Sequence, residues 1–144
     1  MTDKKLKSHR VKIDKIDKEI YALIQKRASH AVAIGKIKSK VSPKESFYKP
    51  DRETKILRNI LNANKKGLLP DSKIRAIYKE LISGCLSLEE ILKVAYLGPE
   101  ATHSEAAVHN QFGSQALRIP TSTIDDVFYQ VINDDVNLGV VPVE

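Results

Sequence analysis

Four basic side chains stand among apolar neighbours in the amino-terminal half of the chain: Arg10, Arg27, Lys38 and Arg52. A cation on an apolar face is costly unless an anion pairs with it, so these positions suit an anionic ligand. Arg27 is the clearest case. It falls within a series in steps of seven, 13, 20, 27, 34 and 41, whose other members are Ile13, Ile20, Ile34 and Val41. Lys38, eleven residues on, is close to three whole helical turns away and points the same way. Arg10 and Arg27, by contrast, lie about 25 Å apart along one helix, too far for one small metabolite to touch both within a single chain. In an antiparallel pair of chains, Arg10 of one copy reaches the middle of the other's helix.

The element that must position these groups is a long helix from Lys5 to Val41, with Ile13, Ile16, Ile20, Leu23, Ile24, Ala31, Ile34, Ile37 and Val41 on its seam. Ser42-Pro43 ends it. Pro50 suits the first turn of a second helix, with Asp51 and Glu53 near its positive end, an apolar face of Ile56, Leu57, Ile60 and Leu61, and Gly67 as its stop. Pro70-Asp71 opens a third, with a stripe of Ile74, Ile77, Leu81, Cys85, Leu88 and Leu92. A first helix about 55 Å long cannot be covered by two shorter ones, so its seam is expected to pack on a second copy, giving a homodimer.

From Val94 the pattern changes. Val94 to Leu97 reads as a strand, and Gly98-Pro99 as a turn. Thr102 or Ser104 caps a helix running to Gly113, and Leu117 to Ile119 is a second strand. Ser122 with Asp125 caps a further helix, and Leu138 to Val141 is a third strand. The order β-α-β-α-β is that of an α/β unit. The expected organisation is therefore mainly α: a three-helix domain over residues 1–93, then a partial α/β segment over 94–144.

Charge divides at the same place. Residues 1–93 hold 23 Lys and Arg against 11 Asp and Glu, whereas residues 94–144 hold 1 against 7. The basic part fits either a field for small anions or a nucleic-acid surface, though no aromatic interleaving or nucleic-acid motif accompanies it. No apolar run approaches membrane length. A lone Cys85 fits a reducing cytosol, and the four scattered histidines lack metal-site spacing. The expectation is a cytoplasmic protein without metal, membrane or nucleic-acid partner; the competing reading is a basic helical dimer serving as a nucleic-acid binding module or a scaffold.

In order and spacing, Arg10 to Asp17, Arg27, Gly35-Lys36-Ile37-Lys38, Tyr48 to Glu53 and Cys85 to Glu90 resemble the all-helical chorismate mutases. Val94 to Ser104 and Gly139 to Glu144 resemble prephenate dehydratase, and the two in this order resemble the amino-terminal portion of the bifunctional chorismate mutase–prephenate dehydratases. The resemblance implies an intertwined all-helical dimer with two shared sites for chorismate, rearranged to prephenate without a cofactor. It implies that Arg10 of the partner subunit and Arg27 grip the carboxylates, that Lys38 donates to the ether oxygen, and that Arg52 and Glu53 orient the hydroxyl side of the ring. Cys85 stands where a serine can assist a carboxylate, Lys49 where some members have aspartate, and Glu89 where a glutamine donates to the ether oxygen. A carboxylate only accepts, so Glu89 must be protonated for that task. Thr102 and Ser104 fall in the dehydratase-like loop, in which Ala101 replaces a usual glycine and His103 a usual aromatic residue. Without the later catalytic segment of that family, the stretch is expected to lack dehydratase activity.

Overall fold

The computed structural model describes residues 1–143. Three helices come first: α1 (Thr2–Val41), α2 (Pro50–Ala63) and α3 (Asp71–Glu89). They are followed by β1 (Lys93–Leu97), α4 (His103–Phe112), β2 (Leu117–Thr121), α5 (Ile124–Ile132) and β3 (Leu138–Val140). The expected alternation and fold class are present.

The helix α1 begins three residues earlier than the seam suggests. Nothing between Thr2 and Lys5 breaks a helix, and Asp3 sits at the positive end, 3.6 Å from Lys7 one turn on. Its far end stops at Ser42, ahead of Pro43. Gly67 is not the stop of α2. The helix ends earlier, at Asn64, whose amide donates to the Leu69 carbonyl (3.0 Å) and to Asp71 Oδ1 (2.8 Å), tying the end of α2 to the start of α3.

α3 is the hub. It packs on α1, α2 and α4, whereas α1 and α2 do not pack on one another. Its two sides differ: Cys85 is buried facing the other helices, and Ser83 is buried against α4, where its hydroxyl donates to the Phe112 carbonyl at 2.8 Å. Ile77 and Leu88, members of the expected stripe, are left exposed. Along α1 only Ala31 and Gly35 are buried. Ile13 is 54% exposed, Ile16 52%, Leu23 66% and Ile37 62%, so most of the seam faces solvent in one chain.

The sheet is parallel, in the order β2-β1-β3. β1 is central and alternates as a two-faced strand does. Val94 and Tyr96 join Leu92, Val108 and Ala116 on the α4 face, with Tyr48 packed against them, while Ala95 meets Val127 and Val136 on the α5 face. Thr102 is the cap of α4, accepting from the Glu105 N–H. The cap of α5 is Thr123, accepting from the Asp126 N–H at 3.1 Å, one residue beyond the expected Ser122 and Asp125. Ser122 and Thr123 offer the same hydroxyl-to-acid spacing, and the end of β2 decides between them. α4 ends at Gly113 with φ 76, and a Cβ there would sit 2.6 Å from Ser83 Cβ. Glycine thus gives both the turn and the close docking of α4 on α3.

Ala101 has φ 63, the conformation for which glycine is the usual residue. Left-handed backbone costs an L residue about 1–2 kcal/mol, and the greater freedom of an unfolded glycine takes back about half. Ala101→Gly is expected to raise stability by about 0.5 kcal/mol, or roughly 2 °C in Tm. Thermal unfolding checks it; a fall in Tm contradicts the strain.

Candidate active site

Because α1 and α2 stay apart, a gap of about 280 Å³ lies between them, with α3 and the 42–49 loop completing its walls. It is lined on the α1 side by Arg27, His30, Ala31, Ile34 and Lys38. The loop contributes Phe47, Tyr48 and Lys49, α2 contributes Arg52, Glu53 and Ile56, and α3 contributes Ile82, Cys85, Leu86 and Glu89. The helical spacings that suggested a shared face do place Arg27, Ala31, Ile34 and Lys38 along one wall.

The close crossing of α1 and α3 sets the depth of this gap. Gly35 is buried there, and a Cβ on it would touch the Glu89 backbone and side chain at 3.4 Å. Glu89 is thereby held against α1, with its carboxylate 3.8 Å from Lys38 Nζ. Among the described residues, Glu89 Oε2 is the buried side-chain atom left without a hydrogen-bond partner. Burial pushes this carboxyl above its ordinary value of 4.5, and the charges of Lys38 and then Arg27 act against the rise. Lys38 is fixed by the loop as well: Nζ donates to the Phe47 carbonyl at 3.5 Å and lies 5.5 Å from the centre of the Phe47 ring.

Glu53 is buried and is held by Lys79, whose Nζ donates to Oε1 at 2.5 Å and to the Gln111 carbonyl at 2.9 Å. Arg27 and Arg52 have no ion-pair partner among the described residues. The balance is cationic: Lys79 offsets Glu53, Glu89 faces Lys38, and the Arg27 and Arg52 guanidiniums remain over. Planar guanidiniums suit carboxylates, which they can grip with two parallel bonds.

Of the residues singled out from the sequence, Arg27, Lys38, Arg52, Glu53, Cys85 and Glu89 come together here, with Lys49 at the rim. Arg10 does not join them; it lies exposed in the first turns of α1. His30, one of the four scattered histidines, also lines the gap. Lys79 was missed, since nothing local to residue 79 announces a partner 26 positions away. Thr102 and Ser104 do not converge on a pocket. The Thr102 hydroxyl is engaged in capping α4, while the nearby shallow depression is lined by Ala101, Thr102, Glu105, Ala106, His109, Asn110 and Arg118, without Ser104. Across it Glu105 pairs with Arg118 at 3.3 Å.

A helical hub thus holds a lysine, and two arginines without ion-pair partners among the described residues, around a small gap. Comparison with known proteins narrows the class. A family model for type II chorismate mutases matches residues 9–90, and one for prephenate dehydratase matches residues 94–144. The chain belongs to the type II chorismate mutase family. It is similar to proteins named bifunctional chorismate mutase/prephenate dehydratase: 46% identical to that of Aquifex aeolicus, 43% to that of Stutzerimonas stutzeri and 42% to that of Neisseria gonorrhoeae, each over 142 residues. These alignments cover 96% of this chain, or 99% for the last, and 38–39% of the relatives, so the chain spans about two fifths of their length. No solved structure matches.

The Lys79–Glu53 pair yields a stability test. Lys79→Met keeps the apolar stem but leaves a buried carboxylate without its donor, and is expected to cost about 2 kcal/mol. Denaturant unfolding measures it. Loss below roughly 0.5 kcal/mol would mean that the pair is no stronger than a surface ion pair.

Proposed function

We propose that residues 1–93 form a chorismate mutase that works as a homodimer, and that residues 94–144 form a second, prephenate dehydratase-like unit. The observation that carries the first part is the pair of unpartnered guanidiniums, Arg27 and Arg52, in one gap with Lys38 and the buried Glu89 carboxyl. Chorismate has two carboxylates. Its rearrangement to prephenate breaks an ether C–O bond and forms a C–C bond within the same molecule, so no cofactor and no net proton transfer is needed. The protein has to hold the compact reactive conformer and stabilise the charge that grows on the ether oxygen.

In this reading Arg27 grips one carboxylate and Arg10 of a second copy the other. The exposed seam of α1 supports that second copy: an uncovered apolar stripe from Val11 to Val41 is costly in water, and the same stripe of a second chain would cover it. Lys38 donates to the ether oxygen as its bond breaks. Glu89, in its neutral form, supplies a second donor to the same oxygen. Arg52 and Glu53 orient the hydroxyl side of the ring, and the Cys85 thiol is a weak donor nearby. A cytosolic location suits the free thiol, and no helix among the described residues is long and apolar enough to cross a membrane. Neither a membrane nor nucleic acid enters the proposal as a partner.

A direct assay of chorismate loss tests the reading. The wild-type chain is expected to turn over, and Arg27→Ala and Lys38→Ala each to lower kcat/KM by roughly a hundredfold or more; full activity in both would remove the site. The pH dependence follows from Glu89. Because burial raises its pKa, the donating neutral form persists above 4.5 and is lost as pH rises through the raised value. The rate should therefore fall on the alkaline side, and Glu89→Gln, which donates at every pH, should flatten the profile. An identical pH–rate curve in that variant would show that Glu89 does not donate.

A further inference from the structure

Glu89 and Glu90 are neighbours with different duties. Glu89 lines the gap. Glu90, at the C-terminal cap of α3 with φ −156 and ψ 139, turns its carboxylate toward the 42–49 loop and the α/β segment. One oxygen, Oε2, accepts from the Phe47 N–H at 3.2 Å. The other, Oε1, accepts from the Asn137 amide at 3.1 Å. Asn137 is itself pinned beside β1, where its Oδ1 accepts from the Lys93 N–H at 2.8 Å. Phe47, at the other end, holds Lys38 through its carbonyl and its ring. A continuous polar chain thus runs from the sheet to the ammonium in the gap, and neither Glu90 nor Asn137 lines that gap.

We propose that Asn137 and Glu90 are positioning residues through which the docked α/β segment fixes Phe47, and through it Lys38, for the reaction in the helical gap. The proposal rests on the mutase reading above. Its physical basis is the loop: most of the stretch between α1 and α2 is exposed, and its backbone bonds are local apart from that of Phe47. Without Glu90 the Phe47 segment would be held chiefly by Tyr48, whose ring meets Phe112 edge-on with centroids 5.4 Å apart. A lysine ammonium on a flexible four-carbon stem gains most from such a fixed acceptor, since its catalytic value depends on placement. The Glu53–Lys79–Gln111 chain runs parallel to this one and ties the other side of the gap to α4.

The polarity of the relay can be reversed, which gives a test that loss of folding does not mimic. Asn137→Asp still accepts from the Lys93 N–H but turns a carboxylate toward Glu90 in place of a donor. Glu90→Gln alone presents an amide N–H₂ either to Asn137's own amide or to the Phe47 N–H. Together, Glu90→Gln and Asn137→Asp restore a complete chain, the new amide accepting from Phe47 and donating to the new carboxylate. In the full chain, each single variant is expected to lower kcat for chorismate roughly tenfold with KM little changed, because Lys38 acts on the breaking bond. The double variant is expected to recover most of the loss, a coupling that a double-mutant cycle measures. Thermal melts accompany each variant. If Asn137→Asp does not fold, Asn137→Ser, which keeps an acceptor but is too short to reach Glu90, takes its place and should show the same kcat loss. Wild-type turnover with unimpaired single variants, or impaired singles that the double does not rescue, overturns the relay and leaves the mutase reading standing. A wild-type chain with no turnover removes the mutase reading, and the relay falls with it.

Discussion

A mismatch of lengths governs the helical part. α1 has 40 residues, about 60 Å, against 14 in α2 and 19 in α3. Within one chain α3 crosses α1 near Ala31, Gly35 and Glu89 and leaves the rest of the seam bare. At about 25 cal/mol per Å² of apolar surface, such a seam is a strong drive toward a second copy. The same crossing makes the gap. α2 is held by α3 rather than by α1, so the cationic wall of α1 and the Arg52–Glu53 turn of α2 face each other across open space.

The electrostatics follow from which charges are already satisfied. Lys79 offsets Glu53 from outside the gap and Glu89 lies beside Lys38, which leaves Arg27 and Arg52 without an ion-pair partner among the described residues. Arg27 is half-buried and Arg52 exposed, so both present their guanidiniums to the open gap. An incoming dicarboxylate would satisfy them and displace little protein. In the proposed reaction, Cys85 and Glu89 make two of the donors weaker or pH-dependent and leave the arginines untouched.

Much of this was readable in the chain because it is periodic or local. The 3–4 spacing exposed Arg27 and Lys38 on an apolar seam, proline marked the end of α1 and the start of α2, and the apolar run from Val94 to Leu97 read as a strand. What stayed hidden depends on contacts between distant segments. Lys79 reaches Glu53 only once α2 and α3 are packed, and Glu90 reaches Phe47 and Asn137 only after the sheet has formed. Gly67 misled because glycine ends a helix only where the chain needs a left-handed turn, and Asn64 had already stopped α2. Ser122 and Thr123 were locally equivalent as caps. Ser104 shared a loop with Thr102 in sequence, but the first turn of α4 separates them in space.

The central claim, a mutase gap completed by Arg10 of a second copy, is tested most directly by mixing two inactive variants. An Arg10→Ala subunit keeps Lys38, and a Lys38→Ala subunit keeps Arg10. In a mixed dimer one gap then contains both native residues and the other contains neither. Random exchange makes half the dimers mixed, so chorismate turnover of about a quarter of the wild-type rate is predicted from two preparations that are each nearly inactive. No recovery after demonstrated subunit exchange, or an Arg10→Ala variant as active as the wild type, would contradict the shared site.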